Sequence, residues 1–240
     1  MSEKQLKGTG KKWWDSLLLW LPILLVVITI LVFWYFQIKK YYICSVLLIL
    51  YAMIPFFVKI EKKNMQAREI VTLAVLCAIA VISRAAFMAV PGFKPLVGIV
   101  MLAGMAFGAE SGFLVGAMSA FVSNFIFGQG PWTPWQMFAY GVAGFLAGLL
   151  TKKGIMRKDT PLMNAIIGAI LILVIVGPLL DTCSVFTVMT TYTASSVGAV
   201  YLAGMPLNIT HALATALTLV ILSKPLLQML DRIKLKYGML

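Results

Sequence analysis

The sequence predicts an all-α integral membrane protein with eight transmembrane helices. Hydrophobic residues make up 61% of the 240-residue chain and charged residues 12%, and the mean hydropathy is +0.97. A soluble domain of this length cannot bury so much apolar surface. Apolar runs near the roughly 20 residues that a helix needs to cross a bilayer occur eight times, at residues 16–36, 41–58, 69–90, 96–109, 112–127, 135–150, 160–180 and 197–222.

The first two runs are rich in Leu, Ile, Val, Phe and Trp and lack glycine, as expected of helices that mostly face lipid. A charged segment, VKIEKKNMQARE at residues 58–69, separates them from the rest of the chain. We therefore predict two parts, residues 1–64 with a cytoplasmic N-terminus and two transmembrane helices, and residues 65–240 with six. The first two helices would stabilise the protein in lipid, shield a face or contact a partner, and the sequence leaves these alternatives open.

Glycine spacing predicts close helix packing in the second part. Glycines recur every four residues, and small residues at this spacing let helices approach closely; they are Gly104, Gly108, Gly112 and Gly116, followed by Gly144 and Gly148. Glu110 and Ser111 predict a cytoplasmic turn between the fourth and fifth helices. The 96–109 run is short enough to be a tilted or re-entrant piece.

The segment FGQGPWTPWQMFAYG, residues 127–141, contains two prolines, two tryptophans, two glutamines and three glycines but no charge. This composition predicts a rigid cap with aromatic faces between the fifth and sixth helices. Trp132 and Trp135 also fit the alternative role of anchors at the membrane interface. The seventh helix is predicted to close at Asp181, with Cys183 in the loop that follows, and Pro206 offers a new start for the last helix.

The positive charges predict the orientation, because Lys and Arg are retained on the cytoplasmic side. With a cytoplasmic N-terminus, sixteen of the twenty Lys and Arg residues fall on the inside, and only Lys39, Lys40 and Lys94 fall in outside loops. Both termini are then cytoplasmic. The net charge of +12 follows from this topology and from contact with anionic lipid, so no nucleic-acid partner is predicted.

Polar residues at membrane depth are costly unless they are paired or face water, and they mark candidate sites. The topology assigns Arg84, Asn124 and Asp181 to the outer half, with Asn208 and His211 deeper. Together with the Trp-rich segment they predict one external pocket. Its complete set is Arg84, Asn124, Gln129, Trp132, Trp135, Gln136, Tyr140, Asp181, Asn208 and His211. The alternatives are structural: an Arg84–Asp181 bridge, an interhelical hydrogen bond from Asn208, and a satisfied helix histidine at His211.

Enzyme chemistry is not supported by the motifs. The chain contains no HExxH, no GxSxG, no carboxylate pair and no Cys/His metal spacing, so we predict no catalytic residues, no metal and no cofactor. A GxxxxGK[ST] phosphate loop is also missing, so any ATP-driven work must come from a partner. Neither a selectivity filter nor a ring of charge indicates a channel.

Residues from Arg68 to about Lys236 resemble the substrate-binding S component of an energy-coupling factor (ECF) vitamin transporter. The resemblance rests on the helix REIVTLAVLCAIAVISRAAF, on the glycine-rich residues 101–150 and on the basic loop that follows. S components carry an Ala-x-x-x-Ala pattern that docks on the coupling subunit, and Ala74 and Ala78 match it. The GQGPWTPWQM segment is similar to the cobalamin or corrinoid subgroup. S components have six helices, so the two N-terminal helices depart from the family.

The resemblance implies a six-helix substrate-binding domain in residues 65–240 that captures a vitamin or its precursor from outside the cell membrane. It implies a transmembrane coupling subunit and two ATPase subunits as partners, with the vitamin lying against the aromatic residues of the external pocket. The rival from another class is an ATPase-independent membrane scaffold or facilitator. Co-purification with ATPases distinguishes the two.

Overall fold

A computed structural model describes residues 24–25, 28–29, 31–32, 41–62, 65–189 and 193–238. Within these ranges the ordered structure is entirely helical. The first predicted span, residues 16–36, lies largely outside the described residues. Seven helices follow: α1 Tyr41–Lys62, α2 Ala67–Ala86, α3 Leu96–Phe107, α4 Ala109–Phe127, α5 Trp132–Lys152, α6 Pro161–Val188 and α7 Ala194–Tyr237.

Four of these helices, α2, α4, α6 and α7, are long and apolar enough to cross a membrane. By contrast, α3 has only 12 residues, ten of which are buried. At 1.5 Å per residue it spans about 18 Å, well short of a bilayer core. The predicted short piece at residues 96–109 is therefore a central helix that its neighbours surround, and it packs on α2, α4, α5 and α7.

The turn between α3 and α4 is a single residue, Gly108, with a φ of +93°. Glycine adopts this conformation without the clash that a Cβ would cause. The predicted turn at Glu110 and Ser111 is therefore wrong by two residues. Both lie in the first turn of α4, where an acidic side chain suits the helix dipole, and the Ser111 hydroxyl donates to Glu69 Oε1 at 3.3 Å.

Glycines hold α3, α4 and α5 together. A Cβ on Gly104 or Gly112 would fall against the carbonyl oxygen of Gly144, and one on Gly148 would fall against the backbone of Ala109. The three helices thus meet backbone to backbone, the arrangement that small residues permit. The packing role predicted from the four-residue spacing matches these contacts.

The segment 127–141 is mostly helix, which corrects the predicted cap. Only residues 128–131 lie outside helices, and α5 begins at Trp132. Pro131 precedes the helix and Pro134 lies in its first turn, where the missing N–H breaks no helical bond. Trp132, Trp135, Gln136 and Tyr140 are therefore helical residues, so their side chains follow the faces of α5.

α6 continues beyond the predicted end at Asp181 to Val188, through a π-helical segment at Ile172–Val176. Cys183, predicted in a loop, lies within this helix and is buried. The sequence suggested an end at Asp181 because a carboxylate is costly in an apolar helix. Because Asn208 of α7 donates to the Asp181 carboxylate, the helix continues past this residue.

α7 runs for 44 residues, about 66 Å, which is roughly twice the thickness of a bilayer core. It begins at a capping box between Thr193 and Ser196 and passes through Pro206 without interruption, so Pro206 does not start a helix. Near its other end, Lys234 donates to the carbonyl oxygen of Ala106 at the end of α3. This contact joins the extension of α7 to the bundle.

α1 lies against α4, α5 and α6. Its buried residues Ile49 and Met53 share an apolar cluster with residues of those helices. Ala74 and Ala78 on α2 remain exposed, so α1 does not cover them. We call the end of the bundle with residues 87–95 and 128–131 the predicted outer end.

Candidate functional site

A hydrogen-bonded group of polar side chains, the Arg84 cluster, joins α2 to α4 at the predicted outer end. Arg84 lies in the last turn of α2 and is 8% exposed. Its Nη1 donates to Ser123 Oγ at 2.5 Å and to Asn124 Oδ1 at 3.0 Å. The guanidinium lies 4.3 Å from the centre of the Phe127 ring, a cation–π contact. The charge is thus held within protein.

The Arg84 cluster continues into the turn before α5. Asn124 Nδ2 donates to Thr133 Oγ1 at 3.0 Å, and Thr133 Oγ1 donates to Gln129 Oε1 at 2.8 Å. The Gly130 N–H also donates to Thr133 Oγ1, at 3.2 Å. Both ends of the Asn124 amide are therefore bonded. The cluster fixes residues 128–131 between α4 and α5, the position that sequence reasoning assigned to a rigid cap.

A second group of side chains, the Tyr140 cluster, connects α5 with α7. We define it as Gln136 and Tyr140 on α5 and His211 and Thr215 on α7. Tyr140 and His211 are almost fully buried, and their rings meet edge to face with centroids 6.0 Å apart. Gln136 is one turn from Tyr140, and Thr215 is one turn from His211. The spacing of four residues presents each pair on one helix face.

The Tyr140 cluster contains buried polar atoms that have no hydrogen-bond partner among the described residues. They are Gln136 Oε1, Tyr140 Oη, His211 Nε2 and Thr215 Oγ1. Leaving such an atom unpaired costs about 1–3 kcal/mol, so native structures rarely keep several together without water or ligand. This cluster is able to accept and donate hydrogen bonds to a bound molecule.

Asp181 and Asn208 form a pair between α6 and α7. Asn208 Nδ2 donates to Asp181 Oδ2 at 2.7 Å, and both side chains are more than 90% buried. Each side chain lies against a glycine of the opposite helix, because a Cβ on Gly204 would meet the Asp181 carboxylate and one on Gly177 would meet the Asn208 amide. The two glycines make room for the pair, which joins the helices.

The predicted residues therefore form three groups rather than one. The first group contains Arg84, Asn124 and Gln129, and the second contains Tyr140, Gln136 and His211. The third is the pair of Asp181 and Asn208. The alternative Arg84–Asp181 bridge is wrong, since within the described ranges Arg84 bonds to α4 and Asp181 bonds to α7. The alternative interhelical hydrogen bond from Asn208 is confirmed.

The two tryptophans differ. Trp132 is 41% exposed, and its Nε1 donates to the carbonyl oxygen of Gly128 at 3.3 Å. Trp135 is 5% exposed and stacks on Phe186 of α6 with ring centroids 6.1 Å apart. Its Nε1 has no partner in the described part of the chain. Trp132 occupies the rim of the helix end, and Trp135 lies inside the bundle.

Sequence reasoning missed three hydroxyl residues, Ser123, Thr133 and Thr215. Ser123 directly precedes Asn124, and Thr133 lies between the two tryptophans. Thr215 follows His211 by four residues, so a search for polar groups at helical spacing finds it. Hydroxyls gave a weaker signal than charged or amide groups because they often bond to their own helix backbone.

The described residues contain no group of three or more His, Cys, Asp or Glu side chains able to hold a metal. Ser111, in the first turn of α4, bonds to Glu69 of α2, whereas His211 of α7 contacts Tyr140 of α5. The arrangement is therefore one of buried hydrogen-bonding groups between helices.

A family model described as "ECF-type riboflavin transporter, S component" matches residues 64–228. The match spans α2 to α6 and most of α7, and α1 precedes it. Searches of curated proteins and of solved structures found no match to the chain.

Proposed function

Because the chain belongs to the family of S components of ECF-type transporters, we propose that it binds a vitamin or vitamin precursor at the predicted outer end of α2 to α7. An S component is a membrane subunit for vitamin uptake. The chain is accordingly a multi-pass membrane protein that acts as a transport subunit and not as an enzyme. Our proposal concerns its binding site, its substrate, its orientation and its docking surface.

The unpartnered polar atoms of the Tyr140 cluster carry the proposal. Tyr140 Oη and His211 Nε2 are buried between α5 and α7, and they have no partner among the described residues. A ligand that supplies both an acceptor and a donor would satisfy them, and the gain is large because the empty state leaves them unpaired. Trp135 and Tyr140 would provide aromatic surface beside these atoms.

The Arg84 cluster and the Asp181–Asn208 pair have supporting roles in this proposal. Arg84 donates through Nη1, and no described residue accepts from its Nε or Nη2. Those donors are available to a carbonyl or phosphate of the ligand. Asn124 and Gln129 hold the 128–131 turn, and Asp181 with Asn208 holds α6 against α7. Trp132 lies at the rim.

Riboflavin is the first substrate to test. Its flat tricyclic ring matches aromatic neighbours, and the polar edge of that ring carries both acceptors and a donor. The family description names this vitamin. Trp135, Tyr140 and His211 are each 5% exposed or less, which favours a thin ligand over one that must open a large cavity. A cobalamin or corrinoid, predicted from the GQGPWTPWQM segment, is the second candidate.

The substrate is identified with the purified full-length chain. Riboflavin fluorescence should be quenched on titration with the protein, and native mass spectrometry should show one added vitamin mass. Cyanocobalamin, followed by its visible absorbance, is the competitor. Binding of cyanocobalamin alone would favour the corrinoid candidate. Failure of both vitamins and their precursors to bind would overturn the proposed site.

Docking on a coupling subunit with two ATPases is proposed to use the exposed face of α2. Ala74 and Ala78 are exposed there, beside Val71 at 63% and Val75 at 52% exposure. Small side chains at this spacing let a second helix lie close. Positive charges concentrate at the opposite end from residues 128–131, so the proposed orientation has the binding site outside and both termini cytoplasmic.

The docking proposal predicts that replacing Ala74 and Ala78 with leucine abolishes vitamin uptake and co-purification of the ATPases, while vitamin binding persists. A matched control replaces Ala199 and Ala203 with leucine, because these alanines are also exposed and four residues apart, on α7. Normal uptake by the α2 variant would contradict docking at this face. Uptake in cells without the ATPases would instead support the ATPase-independent facilitator.

A further inference from the structure

α1 lies before the segment that matches the family, yet it is built into the helix bundle. Ser45 and Met53 are 1% exposed and Ile49 is 6% exposed. They form a stripe at four-residue spacing, the repeat that places side chains along one helix face, and the next position along, Phe57, is 41% exposed. Leu50, on another face, is 44% exposed. α1 therefore contacts the bundle through one side.

The buried stripe of α1 meets three helices at once. Ile49 and Met53 belong to one apolar cluster with residues of three other helices. These are Phe113 and Ala117 of α4, Trp135 of α5 and Cys183 of α6. Phe57 contacts Phe113 edge to face, with ring centroids 6.2 Å apart. α1 thus closes the side of the bundle where these helices come together.

Trp135 is the one residue of this apolar cluster that also belongs to the proposed substrate site. On α5, Phe138 and Val142 pack against the apolar cluster that includes α1, whereas Tyr140 packs in the central core. At about 100° per residue, Trp135 lies about 20° from Val142 and about 140° from Tyr140, so it belongs to the side of α5 that faces α1. Its buried Nε1 has no partner among the described residues, as in the Tyr140 cluster. Phe186 stacks on its ring from α6. A shift of α1 would therefore change the surroundings of Trp135.

We propose that α1 is a positioning element of the substrate site, with Met53 and Ile49 holding Trp135 in the orientation that the vitamin requires. This inference rests on the proposed function. Met53 acts through the apolar cluster and does not touch the vitamin. α1, which precedes the family's six helices, is then part of the binding unit. This role differs from the three left open by the sequence, which were stabilising the protein in lipid, shielding a face and contacting a partner.

The test measures riboflavin binding and dissociation by flavin fluorescence in the full-length protein. Met53→Ala should weaken binding about tenfold, mainly through faster dissociation, since the Trp135 wall loosens without losing a ligand contact. Met53→Leu should restore binding because it refills the volume. Leu50→Ala is the matched control, an aliphatic truncation on the exposed side of the same helix, and should bind like the natural protein.

A double-mutant cycle separates positioning from general stability. If Met53 acts through Trp135, Met53→Ala should have little further effect on binding in a Trp135→Phe background. Equal losses in both backgrounds, or unchanged binding by folded Met53→Ala, would overturn the proposal. Ile49→Val is a milder variant, expected to raise the dissociation rate two- to threefold, should Met53→Ala not fold; an unchanged rate would overturn the proposal. Failure of the natural protein to bind riboflavin and cyanocobalamin would instead reject the proposed function.

Discussion

Asn124 of the Arg84 cluster and the side chains of the Tyr140 cluster are buried polar groups with opposite hydrogen-bond states. In the first, Asn124 bonds through both ends of its amide and Thr133 links it to the 128–131 turn. In the second, Tyr140 Oη, His211 Nε2 and Thr215 Oγ1 are buried and have no partner among the described residues. Both regions lie in apolar helices, where polar groups are costly.

Burial of a polar group in a membrane helix therefore does not by itself indicate a binding site. A polar group whose hydrogen bonds are all made within the protein contributes to the stability of the fold, because removing it leaves its partners unpaired. An unsaturated group adds cost to the empty protein and is available for a ligand. Mutation of Asn124 should therefore affect stability, and mutations in the Tyr140 cluster should affect vitamin binding.

The largest effect is expected at Asn124. Asn124→Ala removes the acceptor for Arg84 and the donor to Thr133, so the empty protein should lose about 2–3 kcal/mol of unfolding free energy. Thermal unfolding in detergent measures the change. Gln129→Ala, at the exposed end of the same cluster, is the control and should cost less than about 1 kcal/mol. Full stability of Asn124→Ala would contradict the comparison.

An effect of opposite kind is expected at Tyr140. Tyr140→Phe removes a hydroxyl that has no partner among the described residues, so stability should change by less than about 0.5 kcal/mol, while riboflavin binding weakens about tenfold, or about 1.4 kcal/mol. Tyr201→Phe is the matched control, because its hydroxyl lies 2.7 Å from Thr182 Oγ1. That variant should lose about 1 kcal/mol of stability and keep its affinity. The reverse pattern would remove Tyr140 from the proposed site.

The smallest effect is expected at Trp132. Because its ring is 41% exposed at the helix end, Trp132→Ala should reduce riboflavin affinity no more than about threefold. Trp135→Ala, which removes a buried ring, should weaken binding more strongly. Should both variants bind riboflavin like the natural protein, neither tryptophan lines the site.

Much of the helical arrangement was predictable because apolar length and glycine spacing are local properties of the chain. The runs at 112–127 and 135–150 lie within α4 and α5. Boundaries failed at a polar residue and at a proline that were expected to end or start a helix. The helix passes Asp181 because Asn208 on α7 donates to it, and Pro206 remains within α7.

The candidate residues were predictable by type and only partly by role. A polar residue in an apolar helix is a candidate site residue because its burial costs desolvation free energy. This criterion identifies Arg84, Asn124, Asp181, Asn208 and His211. Their partners depend on which helix faces meet. Thus Arg84 bonds to Ser123 and Asn124, and the expected bridge to Asp181 does not form.

The amino-acid sequence alone is enough to predict a multi-helix membrane protein of a transport family with close glycine packing, since hydropathy, spacing and motifs are carried by neighbouring residues. Only the folded chain shows which polar groups bond to each other, that α1 packs beside Trp135, and that Tyr140 faces His211. Hydrogen bonding and burial depend on distances between helices, and these are set only when the helices pack.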